Sequence, residues 1–265
     1  METRLQERKA RVQDYCKRHK RSADTVLGKD LGYFNLFRRR KVIYCFIPKV
    51  ASSQWKKELS PLVRDDKQIY KGSLKNSLSK FPRQEVEQML KNSFTFLFVR
   101  DPMERVLSAY KDKFVKDNKY FHRAYGRDII KRCRPNATKQ ALETGSGVTF
   151  PEFTKYLVET PMRNEHWQAF DKLCHPCAVN YDFIGRFETL FEDAHYLIKK
   201  AGIDDRVSSH SFRSSNTAAD LLHYYSQIPK QRIFQMAKIY ESDYELFGYS
   251  FPGKLGALLN STDSQ

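Results

Sequence analysis

Nowhere in its 265 residues does this chain hold an apolar run approaching the ~18 to 20 residues that a membrane-spanning helix needs. Its start, Met1-Glu2-Thr3-Arg4, has no apolar signal-peptide core. As it stands, the chain is expected to be soluble and without an export signal. Cysteine is scarce: Cys16, Cys45, Cys133, Cys174 and Cys177 are too few for a scaffold built from disulfides. No Gly-x-x-x-x-Gly-Lys loop and no obvious acidic Mg²⁺ ligand at a strand end are present, which argues against an ordinary NTPase. No internal repeat, zinc finger or RNA-binding aromatic motif is found, so nucleic acid is not an expected partner. Acidic residues are in deficit, 31 against 47 Lys and Arg, for a net charge of +16. Half of that excess lies in residues 1–41, with 13 basic and 5 acidic side chains. Such a balance by itself calls for an acidic partner, whether nucleic acid, anionic lipid, a polyanionic sugar or a phosphorylated nucleotide, and composition does not choose among them.

What is there is a core. Hydrophobic residues make up 40% and aromatic residues 14%, the composition of a globular chain. Lys41 to Ile47 and Ser93 to Val99 are β-branched and aromatic runs, expected as buried strands, and Tyr181 to Ile184 as a third. Helices are expected after Ser52-Ser53, over Arg83 to Lys91, after Arg100-Asp101-Pro102, over Leu190 to Ala201 and over Lys230 to Tyr240. Residues 117–150, with Gly126, Pro135, Gly145 and Gly147 among many charges, read as a surface excursion. Strand, turn and helix recurring in this way predict an α/β domain around a parallel sheet. Residues 1–38 read as a basic surface helix or stalk, 39–253 as the domain and 254–265 as a flexible tail. Asn136-Ala137-Thr138 and Asn260-Ser261-Thr262 are glycosylation sequons.

Two stretches combine a strand end, a helix start and anion-binding side chains. In the first, Lys49-Val50-Ala51-Ser52-Ser53-Gln54-Trp55, a lysine and two hydroxyls join the outward-pointing amides of a helix start. A capped helix beside a surface lysine is the plain alternative. In the second, Arg100-Asp101-Pro102-Met103-Glu104-Arg105-Val106-Leu107-Ser108, Arg100 ends the strand, where α/β sheets bind ligands, and arginine forks with a serine hydroxyl suit a second phosphate. Here the alternative is a salt-bridged helix start with Asp101 and Glu104 at its favourable end.

This pair of loops resembles the 5′-phosphosulfate and 3′-phosphate motifs of sulfotransferases that use 3′-phosphoadenylyl sulfate (PAPS). Asn164-Glu165-His166-Trp167, Leu173-Cys174-His175-Pro176-Cys177 and Tyr181 to Leu190 extend the likeness over roughly residues 5 to 250. Together they are similar to the Golgi carbohydrate family of the chondroitin/dermatan 4-O-sulfotransferases and the HNK-1 sulfotransferase. The resemblance implies a P-loop-like sulfotransferase domain, a central parallel sheet flanked by helices, with PAPS as donor and no metal. It implies that Lys49 to Trp55 meet the 5′-phosphosulfate and Arg100 to Ser108 the 3′-phosphate. Ser52 stands where this branch usually has cysteine, a change the backbone cradle tolerates. A Golgi-lumenal, type II membrane protein is implied too, although no anchor is visible in this sequence.

Lys49 is the expected stabiliser of the leaving group. His166, with Glu165 as runner-up, is the expected base for the acceptor hydroxyl. Arg213 is expected to close over the nucleotide from the C-terminal side. Lys111, Lys113, Lys116, Lys119, Arg123, Arg127, Lys131, Arg132 and Arg134 are candidates to hold a polyanionic glycan, N-acetylgalactosamine 4-O in chondroitin or dermatan being favoured. Cys174-His175-Pro176-Cys177 could be half a zinc site, a redox pair or disulfide partners; no second pair completes a zinc finger, and a Golgi lumen favours disulfides. Five is odd, and Cys133 is the expected free thiol. A non-enzymatic polyanion-binding module and a nucleotide kinase are the alternatives.

Overall fold

The computed structural model describes residues 1–20, 31–69, 77–160, 164–213 and 217–260. Four strands form one sheet in the order β1-β2-β3-β4: β1 (Phe34–Phe37), β2 (Val42–Cys45), β3 (Phe94–Val99) and β4 (Phe183–Arg186). β2, β3 and β4 are parallel, with Cys45 opposite Leu97 and Val99 opposite Arg186. Nearly every residue of these three strands is buried, as a sheet covered on both faces requires. The sheet is mixed rather than wholly parallel, because the tight turn at 38–41 joins β1 to β2 as a hairpin, and a connection that short permits only antiparallel pairing. Buried Asp66 fixes the turn by accepting the backbone N–H groups of Arg38 and Arg39 at 2.9 and 3.0 Å.

The chain divides into two compact units. The first contains the sheet with α1 (Glu2–Arg18), α2 (Ser52–Glu58), α3 (Ser60–Ile69) and α4 (Arg83–Lys91). The second begins at Asp101 and opens with α5 (Pro102–Tyr110). It continues through α6 (Lys119–Phe121), α7 (Arg127–Cys133), α8 (Lys139–Thr144) and α9 (Phe150–Glu159). The chain returns to the first unit for α10 (Phe170–Cys174), β4 and α11 (Leu190–Lys200), then supplies α12 (Thr217–Tyr225) and α13 (Lys230–Ile239) to the second.

Three expectations change here. The N-terminal helix is no stalk: Leu5, Val12 and Tyr15 are buried, and Arg8 donates to Asp193 Oδ2 at 2.6 Å and to the Ile184 carbonyl at 2.9 Å. Each such buried apolar side chain contributes about 1.5–3 kcal/mol, more than the exposed charges around it. Residues 117–150 are mostly helical, π-helical at His122–Gly126, with Phe121, Ile129 and Ile130 buried. Its glycines allow close packing: a Cβ at Gly126 would lie 2.1 Å from the Gly145 carbonyl oxygen, and Gly145 has φ 71°. Residues 254–260 are not a loose tail, since Leu255 is buried and Lys254 pairs with buried Glu104 at 2.5 Å.

Two disulfides lie in the first unit, Cys16–Cys177 and Cys45–Cys174, with Cα separations of 5.3 and 5.9 Å. Both cysteines of the Cys-His-Pro-Cys stretch are thereby committed to different partners, which removes the zinc and redox-pair readings. Cys133 is the free thiol, as expected, and burial raises its pKa.

Candidate active site

The first motif leaves the carboxyl edge of the sheet after β2. Lys49 (φ 72°) and Ala51 (φ 54°) both take left-handed backbone, a conformation that costs a residue with a Cβ about 1–2 kcal/mol. Buried Pro48, Val50 and Trp55 hold the loop in this shape. Ala51 is the N-cap of α2 and no side chain folds back to cap the helix. The first amides of α2, which have no intrahelical partner, therefore face outward beside half-buried Lys49 and Ser52 and exposed Ser53.

Arg100 leaves the same edge after the neighbouring strand, β3. Its side chain is buried, with Cζ 4.1 Å from the centroid of the Phe187 ring, and Nη1 donates to the Lys49 carbonyl at 3.4 Å. A cation is thus stored behind the loop on an aromatic face. From the other side, the Gln54 carboxamide pairs with the Arg213 backbone in both directions, Nε2 to O and N to Oε1, each at 2.9 Å. Phe212 packs on Trp55 with centroids 4.5 Å apart. Beside this pair opens a cleft of about 630 Å³ that Glu188, Phe191, His210, Phe212 and Arg213 help to line. Of the Ser211 to Asn216 stretch, residues 214–216 lie outside the described residues.

In the second unit, α5 caps itself. Asp101 Oδ1 accepts the amides of Met103 at 2.9 Å and Glu104 at 3.0 Å, and Pro102 sits in the first turn. Pro102, Met103, Val106 and Leu107 are core side chains, and Ser108 is half-buried. Arg105, 1% exposed, turns its fork onto the carbonyls of Gln168 and Glu165 at 2.6 and 2.8 Å. Those carbonyls belong to the turn that carries His166. The His166 N–H donates to Asn164 Oδ1 at 2.9 Å, and Asn164 Nδ2 donates to the Tyr125 hydroxyl at 2.8 Å. The imidazole packs against Phe121 at 5.2 Å between centroids, and its Nε2 is 3.9 Å from Glu165 Oε1. Tyr240 donates its hydroxyl to the Trp167 carbonyl at 2.6 Å; burial pushes its pKa far up, so it stays a neutral donor.

The residues named from sequence thus fall into two groups. In the first unit the structure gathers Lys49 to Trp55, Arg100 and Arg213. In the second it brings Glu165 and His166 together on one turn, tied to α5 by Arg105. Phe187, Phe121, Tyr125 and Tyr240 were not singled out, because nothing in their spacing marks an aromatic ring as a shelf for a cation or an anchor for a turn. Among the proposed glycan-binding cations, Lys111 is paired with Asp220 and Arg132 with Asp128, and Arg134 forks onto Glu152. Lys119, Arg123, Arg127 and Lys131 are exposed.

A sulfotransferase family profile matches residues 33–250. The chain is 33% identical to carbohydrate sulfotransferase 11 of Rattus norvegicus over 94% of its own length and 77% of that protein's. It is 34% identical to carbohydrate sulfotransferase 8 of Homo sapiens, covering 93% and 63% of the two chains. With carbohydrate sulfotransferase 14 of Danio rerio it shares 38% identity over 80% and 60%. No solved structure matches the chain significantly.

Proposed function

The chain belongs to the sulfotransferase family and is a PAPS-dependent carbohydrate sulfotransferase, and we propose that it sulfates the 4-O position of N-acetylgalactosamine in chondroitin or dermatan. Membership sets aside the polyanion-binding module and the kinase as descriptions of the whole chain. Support for the acceptor comes from the Asn164 to Trp167 and Cys174 to Cys177 stretches, which resemble the 4-O enzymes. The exposed cations Lys119, Arg123, Arg127 and Lys131 suit a linear polyanion. Residence in the Golgi lumen as a type II protein accords with two disulfides, which persist in oxidising compartments.

In the proposed reaction the acceptor oxygen forms a bond to sulfur as the bond from sulfur to the bridging phosphate oxygen breaks, in line. His166 accepts the hydroxyl proton, with Glu165 beside it. Lys49 and the uncapped amides of α2 meet the charge that develops on the leaving phosphate, an interaction of about 3 kcal/mol per well-placed donor. The resemblance assigns Arg100 and Ser108 to the 3′-phosphate, and Arg213 closes over the nucleotide from the C-terminal side. The observation that carries this reading is the left-handed Lys49–Ala51 loop, which leaves a lysine and free helix amides at the strand end.

The test is transfer of labelled sulfate from PAPS to desulfated chondroitin, desulfated dermatan and a glycan ending in N-acetylgalactosamine, with disaccharide analysis of the product. Label at the 4-O position is expected. Label confined to another hydroxyl would overturn the acceptor assignment and leave the sulfotransferase itself standing.

A further inference from the structure

Arg105 lies one turn before Ser108 on α5 and reads at first as a second phosphate-binding fork. Its bonds say otherwise. Both terminal nitrogens face the backbone of the His166 turn, Nη2 on the Glu165 carbonyl at 2.8 Å and Nη1 on the Gln168 carbonyl at 2.6 Å. Between those two points, Tyr240 holds the Trp167 carbonyl at 2.6 Å. The Asn164 carbonyl accepts the N–H groups of Trp167 and Gln168 at 3.1 and 2.9 Å, closing the turn from within. Carbonyls on both sides of His166 are therefore fixed by charged or neutral donors rooted in other elements. The ring itself rests on Phe121.

We propose that Arg105 is the positioning residue for His166, locking the turn that carries the proposed base to the helix that carries Ser108. A planar fork can hold two carbonyls at a set separation, and a lysine, with one ammonium, cannot. General-base catalysis depends on the base lying within hydrogen-bond reach of the proton it takes, so a shift of the turn reduces turnover without touching the nucleotide. This inference rests on the reading of His166 as the base, and its test separates the two.

Turnover is measured on the acceptor the wild type uses, alongside the dissociation constant for adenosine 3′,5′-bisphosphate, for Arg105→Lys, Ser108→Ala, His166→Asn and the double variant Arg105→Lys/His166→Asn. Arg105→Lys is expected to lower kcat about 10- to 100-fold with the bisphosphate constant within about twofold, a kcat loss free of a binding loss. In the His166→Asn background the same substitution is expected to cost less than about twofold, since residues acting through one another are not additive. A bisphosphate constant weakened as much as in Ser108→Ala would return Arg105 to the phosphate. Multiplying losses in the double variant would show that it acts independently of His166. Wild-type turnover by His166→Asn would overturn the base assignment and the coupling with it. If Arg105→Lys does not fold, Arg105→Gln, whose neutral planar amide can reach only one of the two carbonyls, replaces it in the same measurements with the same expectations.

Discussion

The two loops that follow β2 and β3 each lead from a strand into a helix and are built in opposite ways. After β2 the helix start is left open: the N-cap is an alanine in left-handed backbone, and no side chain returns to the first amides of α2. After β3 the helix start is closed by its own Asp101, which takes the amides of Met103 and Glu104. Open amides offer an anion a cradle of oriented dipoles, at the cost of a strained loop and an uncapped helix. A capped helix is more stable and has only side chains to offer. The first loop is thus suited to charge that changes during the reaction, and the second to a phosphate that merely has to be held.

Substitutions can break or sharpen this contrast. The largest effect is expected from Lys49→Met, which should lower kcat about 10²- to 10³-fold while KM for PAPS changes little, measured by initial rates. Next, Ser108→Ala should weaken adenosine 3′,5′-bisphosphate about 10- to 100-fold by calorimetry with kcat nearly unchanged, the loss of one hydrogen bond to a charged group. Asp101→Ala should cost about 1 kcal/mol of stability, seen as a fall of a few degrees in Tm, without weakening the bisphosphate, because it releases amides rather than removing them. Smallest of all, Ala51→Gly should raise stability by about 0.5–1 kcal/mol by relieving the left-handed alanine. Weaker bisphosphate binding in Asp101→Ala, or a stability loss in Ala51→Gly, would erase the distinction between the two loops.

Much of this was legible in the residues, for reasons that are local. The runs ending at Cys45 and Val99 are almost continuously apolar, with Thr95 the one small polar interruption, which a strand buried on both faces needs, and Arg83–Lys91 begins after proline and ends before asparagine. What stayed hidden depends on partners distant in sequence. Phe34–Phe37 reads as part of a charged segment because three arginines follow it, and only Asp66 makes their turn. The first helix buries just three apolar side chains, too few to stand out among its charges, and Asp193, the Ile184 carbonyl and the disulfide to Cys177 add the anchorage that sequence does not show. Gly126 and Gly145 suggested a loop, whereas their lack of a Cβ serves helix contact. The motif spacing around Arg100 and Ser108 was visible, but the direction of the Arg105 fork was not, since a guanidinium on a helix can face a ligand or the core.

The central claim, that the loop from Lys49 to Trp55 and Arg100 bind the nucleotide, is tested most directly by thermal unfolding with and without adenosine 3′,5′-bisphosphate in EDTA, on the wild type and on Arg100→Ala. Ligand at about 100 times its dissociation constant adds roughly 2.7 kcal/mol. The account predicts a rise of several degrees in the wild type that is lost in Arg100→Ala. An unchanged Tm in the wild type would contradict it.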